Sequence, residues 1–147
     1  MKIKKTVVMS SIILFSLLIV SRNLFPFIIV GNSMKPSYHS KELVLCQAKP
    51  KKITYGDVVV IKKDEKTYIK RVVALEGDTL NFNDKKLYIN DSYICTGGIN
   101  KIGDLPKSVP KGYVFCLGDN YNHSIDSRDK DFGFVKVEKE IIGKVVR

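Results

Sequence analysis

The sequence predicts a mainly β domain carried on a single N-terminal membrane helix. Three observations point to that class. An uncharged apolar run stands near the N-terminus. Short β-type runs separated by Gly-Asp and Asn-Asp pairs fill the rest. Outside the first run, no stretch sustains a 3.6-residue period.

Thr6 to Val20 carries no charge and consists mostly of Val, Ile, Leu, Met and Phe. As a helix this run reaches about 22 Å, short of the ~30 Å hydrocarbon core of a bilayer. Continuing through Arg22 and Asn23 to Phe25 supplies the missing length, with Arg22 close enough to the end to snorkel into the headgroups. A removable export signal is the rival reading, but no small-residue cleavage site follows the run. The first alanine of the chain is Ala48, and Arg22 and Pro26 stand where small residues belong. Lys2, Lys4 and Lys5 keep the short tail cytoplasmic. The expected organisation is a cytoplasmic tail at 1–5, a transmembrane anchor at 6–25 and an extracytoplasmic β-rich domain at 26–147.

Within that domain the strand candidates are Glu42–Cys46, Val58–Ile61, Thr67–Leu75, Thr79-Leu80, Lys86–Ile89, Tyr93–Cys95, Tyr113–Leu117 and Ile141–Val146. Gly56-Asp57, Gly77-Asp78 and Gly118-Asp119 read as turns, and Asn83-Asp84 and Asn90-Asp91 as hairpin tips. Longer loops are expected at Thr96–Lys111 and Asn120–Asp131.

Composition narrows the function classes. The net charge is +10, and removing Lys2, Lys4, Lys5 and Arg22 around the apolar run leaves +6. The lysines are dispersed, without an Arg-rich helix or an interleaved aromatic motif, which speaks against a nucleic-acid partner. A solvated basic surface beside an anionic membrane is the simpler reading. Cys46, Cys95 and Cys116 lack metal-type spacing and read as buried thiols, with one disulfide left open. His39 and His123 have no ligand partners at suitable spacing, so neither a metal nor another cofactor is expected.

Three segments carry the chemistry. Gly31-Asn32-Ser33-Met34-Lys35-Pro36 places a serine after an apolar run and before a proline-limited turn. A serine hydroxyl is a poor nucleophile without an adjacent base. Tyr68-Ile69-Lys70-Arg71-Val72-Val73 sets a lysine inside an apolar strand; pointing inward it loses water, which lowers its pKa and makes it a usable base, whereas an alternating strand by itself turns such a lysine outward. Leu117-Gly118-Asp119-Asn120, followed by Ser124, Asp126, Ser127, Arg128 and Phe132-Gly133-Phe134, reads as a polar loop shaped by an Asp126–Arg128 ion pair.

Taken in order, these segments resemble the boxes of bacterial type I signal peptidases, with a Gram-positive-like pattern. The resemblance implies a signal-peptidase/LexA-like β-fold and a Ser-Lys dyad, with Ser33 as nucleophile and Lys70 as general base. It also implies that Ser124 orients the lysine. Gly31 and Asn32, with the Ser33 amide, border the oxyanion site. Arg71, Asp119, Asp126 and Arg128 support the loop. Ile29, Met34, Tyr38 and Ile69 are the implied substrate pocket, shallow enough to select Ala-x-Ala. The implied substrates are exported preproteins, cut by a single-pass, monomeric enzyme at the cell membrane.

Three substitutions and one added stretch depart from the family pattern: Gly31 for an oxyanion serine, Tyr121 for arginine, Glu76 for proline, and the added Asp129-Lys130-Asp131. Two other readings share parts of the pattern. A LexA-like autoprotease needs a DNA-binding module where this chain has its apolar run. A silent pilus-assembly relative should lack the serine or the lysine, and both are present.

Overall fold

Val58-Val59-Val60-Ile61 is the most apolar run beyond the N-terminus, and all four residues are buried. Such a run suits a strand covered on both faces, and it forms the middle of the main sheet. The computed structural model describes residues 2–21, 23–97 and 106–146. Helix α1 (Lys2–Ser21) leads into strands β1 (Leu24–Ile28), β2 (Leu43–Ala48), β3 (Val58–Lys63) and β4 (Lys66–Ala74). Strands β5 (Leu80–Asn83), β6 (Lys86–Ile89) and β7 (Ser92–Thr96) come next, then β8 (Tyr113–Leu117), β9 (Val135–Lys136), the short helix α2 (Val137–Glu140) and β10 (Ile141–Val145).

Seven strands form an antiparallel sheet in the order β1-β2-β10-β3-β4-β8-β9, and β5-β6-β7 form a second sheet. The mainly β class expected from the sequence is therefore what the chain adopts. Val59, Ile61, Val72 and Cys116 pack with Phe132 and Val135 on one side of the main sheet. Phe115, Leu117 and Ala74 pack against Leu80, Leu87 and Ile89 of the small sheet. A third cluster of Ile29, Met34, Val58 and Ile69 lies under the Ser33 segment.

Turn chemistry fixes the hairpins. Asp64-Glu65, Asp84-Lys85 and Asn90-Asp91 each place two successive residues at positive φ, the geometry whose twist matches flanking antiparallel strands. The first small-sheet hairpin thus turns at Asp84-Lys85, one residue later than expected, because Asn83 still pairs with Lys86. Asp78 ties the two sheets together. Its carboxylate accepts the Tyr55 hydroxyl, the Asn90 Nδ2–H and the Leu75 amide, and these donors hold its pKa below the ordinary value against the cost of burial.

The helix expected to reach Phe25 ends at Ser21. Asn23 turns the chain at φ 50°, and Leu24 and Phe25 pair with Gln47 and Cys46 across β1 and β2. Among the described residues no helix is long and apolar enough to cross a membrane. Part of the Thr96–Lys111 loop lies outside the described residues.

One asymmetry positions the site. Strand β8 pairs with β4 from Arg71 onward, so among the described residues the Lys66–Lys70 half of that edge has no strand beside it. The outer edge of β1 is likewise the end of the sheet.

Candidate active site

Alternation along β4 decides which way Lys70 points. Tyr68, Lys70 and Val72 share one face, and the Lys70 side chain is only 3% exposed. Its Nζ donates to Ser33 Oγ at 2.8 Å and to the Ile69 carbonyl at 2.8 Å. Burial pulls its pKa from 10.5 down to about 8, against the opposing pull of Asp126, Cys116 and Asp119. Desolvation wins because the carboxylates of Asp126 and Asp119 do not bond the amine, whereas loss of water acts on the whole ammonium. The two residues named from distant segments thus meet, a serine hydroxyl in hydrogen-bond contact with a buried lysine amine.

Ser33 sits in the turn after β1, and its carbonyl and that of Asn32 are both held from the opposite loop. Asn120 donates its backbone N–H to the Ser33 carbonyl at 2.9 Å and its Nδ2–H to the Asn32 carbonyl at 3.1 Å. Asn120 stands in the Gly-Asp-Asn segment, and its sequence context signals no role for it. It clamps the backbone on both sides of Ser33. The Gly31 amide donates to Ser40 Oγ at 3.2 Å, and Gly31 takes φ +95°, a conformation that suits glycine.

The loop behind the site rests on two ion pairs. Arg128 and Asp126, each 1% exposed at the side chain, form a two-pronged pair with bonds of 2.9 and 2.8 Å. Arg128 also donates to the carbonyls of Gly97 and Tyr121, and Asp126 accepts the Gly118 amide. Arg71 grips Asp119 through two further bonds and reaches the Gly56 carbonyl. A planar guanidinium matched to a carboxylate fixes orientation as well as distance. Ser127, absent from the expected site, exchanges two hydrogen bonds with the Cys116 backbone.

Ser124 differs from expectation. Its Oγ is buried and makes no hydrogen bond, so it is not on the Lys70 amine. It is packed against Gly118, where an added methyl group would also meet the Ser33 carbonyl. Close approach of the two loops therefore requires glycine at 118. The departures from pattern find local partners. Tyr121 stacks 5.7 Å from the Arg128 guanidinium, Glu76 accepts the Gly112 amide, and Asp129–Asp131 close as a hydrogen-bonded turn.

Of the four expected pocket residues, Ile69 lines a cleft beside the dyad, while Ile29 and Met34 are buried in the cluster beneath it and Tyr38 packs against that cluster. The cleft, of about 310 Å³, is walled by Phe27, Ile28 and Val30 on one side and Thr67, Tyr68 and Ile69 on the other, with Ser33 and Lys70 in its lining. Its two walls are the segments bearing the two open sheet edges. The three cysteines are buried free thiols; burial pushes Cys46 up to about 11 and Cys116 higher still, so neither competes as a nucleophile. Among the described residues no group of His, Cys, Asp and Glu is arranged to hold a metal.

The chain is similar to known proteins over most of its length. The family described as "Signal peptidase, peptidase S26" matches residues 2–147. Signal peptidase I U of Bacillus subtilis (strain 168) is 34% identical over 147 residues, spanning 87% of this chain and 79% of that protein. Signal peptidase I S of the same organism is 33% identical over 135 residues, spanning 80% and 72% respectively. The crystal structure of a signal peptidase I from Enterococcus faecalis V583 aligns at 28% identity over 66% of this chain and 98% of that one, with a TM-score of 0.49. With the match running from the first helix to the last residue, this chain belongs to the signal peptidase family, peptidase S26.

Proposed function

We propose that this chain is a membrane-bound serine endopeptidase that removes N-terminal signal peptides from exported preproteins, with Ser33 as nucleophile and Lys70 as general base. The observation that carries the reading is the 2.8 Å contact between a buried lysine amine and a serine hydroxyl that opens onto a cleft. Neutral Lys70 takes the Ser33 proton as the hydroxyl oxygen attacks the scissile carbonyl. The resulting ammonium gives that proton to the departing amine, and a water activated by the same base releases the acyl group. In this reading the Ser33 amide donates to the oxyanion, a contribution of about 3 kcal/mol per donor in such sites.

The cleft suits an extended peptide. Its walls supply two strand edges, so a substrate strand bonds through its backbone on both sides while alternate side chains enter shallow apolar positions. Ile69 lies in that wall. Ile29, Met34 and Tyr38 act from beneath it, limiting depth and favouring the small residues of Ala-x-Ala.

The anchor reading rests on exposure. Val7, Val8, Met9, Ile12, Ile13, Leu14 and Leu17 are all more than half exposed, and at 100° per residue they surround α1. A helix apolar on every side and uncovered by its own domain suits lipid. Pro26, Ile28, Leu43 and Leu45 continue an exposed apolar face from the end of α1 toward Ser33, with Pro26 opposite Leu45 and Ile28 opposite Leu43. The lysines before the run place the N-terminus in the cytoplasm and the catalytic domain outside.

The test is processing of a precursor by the full-length protein. Ser33→Ala and Lys70→Ala should each abolish cleavage while expression and membrane recovery are unchanged. Cleavage by Lys70→Ala at the wild-type rate refutes the dyad.

A further inference from the structure

Beside the cleft lies a second recess, of about 270 Å³, that the dyad chemistry does not use. Tyr68 lines both cavities. Its ring meets Phe132 edge-on at 5.1 Å, and Lys70 Nζ lies 5.9 Å from its centre. Ile125, next to Ser124, contributes an apolar side chain that is 59% exposed. Asp64, Lys66 and Asp131 stand around these apolar groups.

Reaction chemistry gives the recess a direction. Peptide cleavage turns the nitrogen after the scissile bond into a leaving amine, which must receive the proton that Lys70 took from Ser33. The first residue of the released chain therefore lies on the Lys70 side of Ser33. The residues before the bond run along the two open sheet edges. Because β4 carries Lys66, Tyr68 and Lys70 on one face, a chain leaving over Lys70 passes Tyr68 and arrives at Ile125 and Phe132.

We propose that this recess binds the first side chains of the mature half of the precursor, with Tyr68, Phe132 and Ile125 as its floor and Asp64, Asp131 and Lys66 as its rim. The inference rests on the Ser33–Lys70 peptidase reading and extends it from the signal half of the substrate to the product half. An aliphatic or aromatic residue covers the floor. A lysine is tolerated by the rim carboxylates, and an aspartate is repelled by them. The remaining rim lysine, Lys63, is already engaged by Glu140 and the Phe134 carbonyl.

Full-length protein in detergent micelles is given precursor peptides with one common Ala-x-Ala signal half, differing only in the first two mature residues: Leu, Lys or Asp. Wild type should prefer Leu and Lys over Asp by about tenfold in kcat/KM, the scale of one side-chain contact. Ile125→Asp should remove the preference for Leu, and Asp131→Lys should reverse the order of Lys and Asp. Both residues are exposed, so both variants should fold, and neither should alter the choice between Ala and Val before the scissile bond. Intact cleavage with the same mature-half ranking in wild type and both variants overturns the subsite alone. Failure of wild type to cleave any of the peptides overturns the peptidase reading and the subsite with it.

Discussion

At the scale of the residue, the buried Lys70 links the proposed catalysis to a cost in stability. With a pKa of about 8, about one molecule in ten holds a neutral Lys70 at pH 7. Cleavage should therefore rise roughly tenfold per pH unit below 8 and level off above it, measured as kcat/KM on one precursor peptide; a flat profile across pH 6–9 counts against Lys70 as base. The same depression makes the charged lysine a burden to the fold. The unfolded chain binds this proton up to pH 10.5 and the folded chain only up to about 8, so stability rises with pH between those values and the full penalty is present below them. That interval corresponds to at most about 3 kcal/mol. Lys70→Met should accordingly be inactive yet melt higher than wild type at pH 7, with the gain vanishing above pH 10.5 in thermal scans.

Which residues were legible followed from what their neighbours said. Ser33 and Lys70 stood out because each occupies a short, ordered block whose order along the chain carries the resemblance, whereas strand alternation by itself favoured an outward-facing lysine. Asn120 was hidden because its work is done by a backbone amide and a carboxamide reaching a loop 88 positions away, and no spacing rule encodes that contact. Ser124 presented the reverse case, since a serine in the right block says nothing about whether its hydroxyl finds an acceptor.

At the scale of the element, the segment from Gly118 to Arg128 shows how a loop with one short 3-10 turn at Tyr121–His123 is held in place by its side chains. Its buried Asp126–Arg128 pair has both side chains fully sequestered. Removing one partner strands the other, which costs about 3–5 kcal/mol in comparable sites. Arg128→Met should lose stability of that order in urea unfolding and lose cleavage in proportion to the unfolded fraction. An unchanged midpoint would show that the pair does not support the loop. The strands themselves were mostly readable, with Lys86–Ile89 and Tyr113–Leu117 found at their observed limits. β1 was not. Leu24-Phe25-Pro26-Phe27-Ile28 is as apolar as the run before it, and hydropathy alone does not separate a lipid-facing helix end from a strand whose partner is Leu43–Gln47.

At the scale of the whole molecule, α1 and the β domain differ in how they cover their apolar side chains. The core of the domain is closed around its three clusters, whereas Val7, Val8, Met9, Ile12, Ile13, Leu14 and Leu17 of α1 are uncovered. If lipid covers them, the full-length protein should stay with the membrane pellet after alkaline carbonate extraction, and replacing Ile12, Ile13 and Leu14 by Asp should release it to the supernatant. Recovery of the wild-type chain in the carbonate supernatant would contradict the anchor.

The two unpaired strand borders carry a further consequence. A bare border on a flat sheet invites stacking with other molecules and eventual fibrils. Here the borders flank a gap of about 310 Å³, and in the proposed reading that gap holds one stretched polypeptide. A proline in such a thread, lacking the amide that a border needs, is the simplest way for an exported protein to pass by uncut.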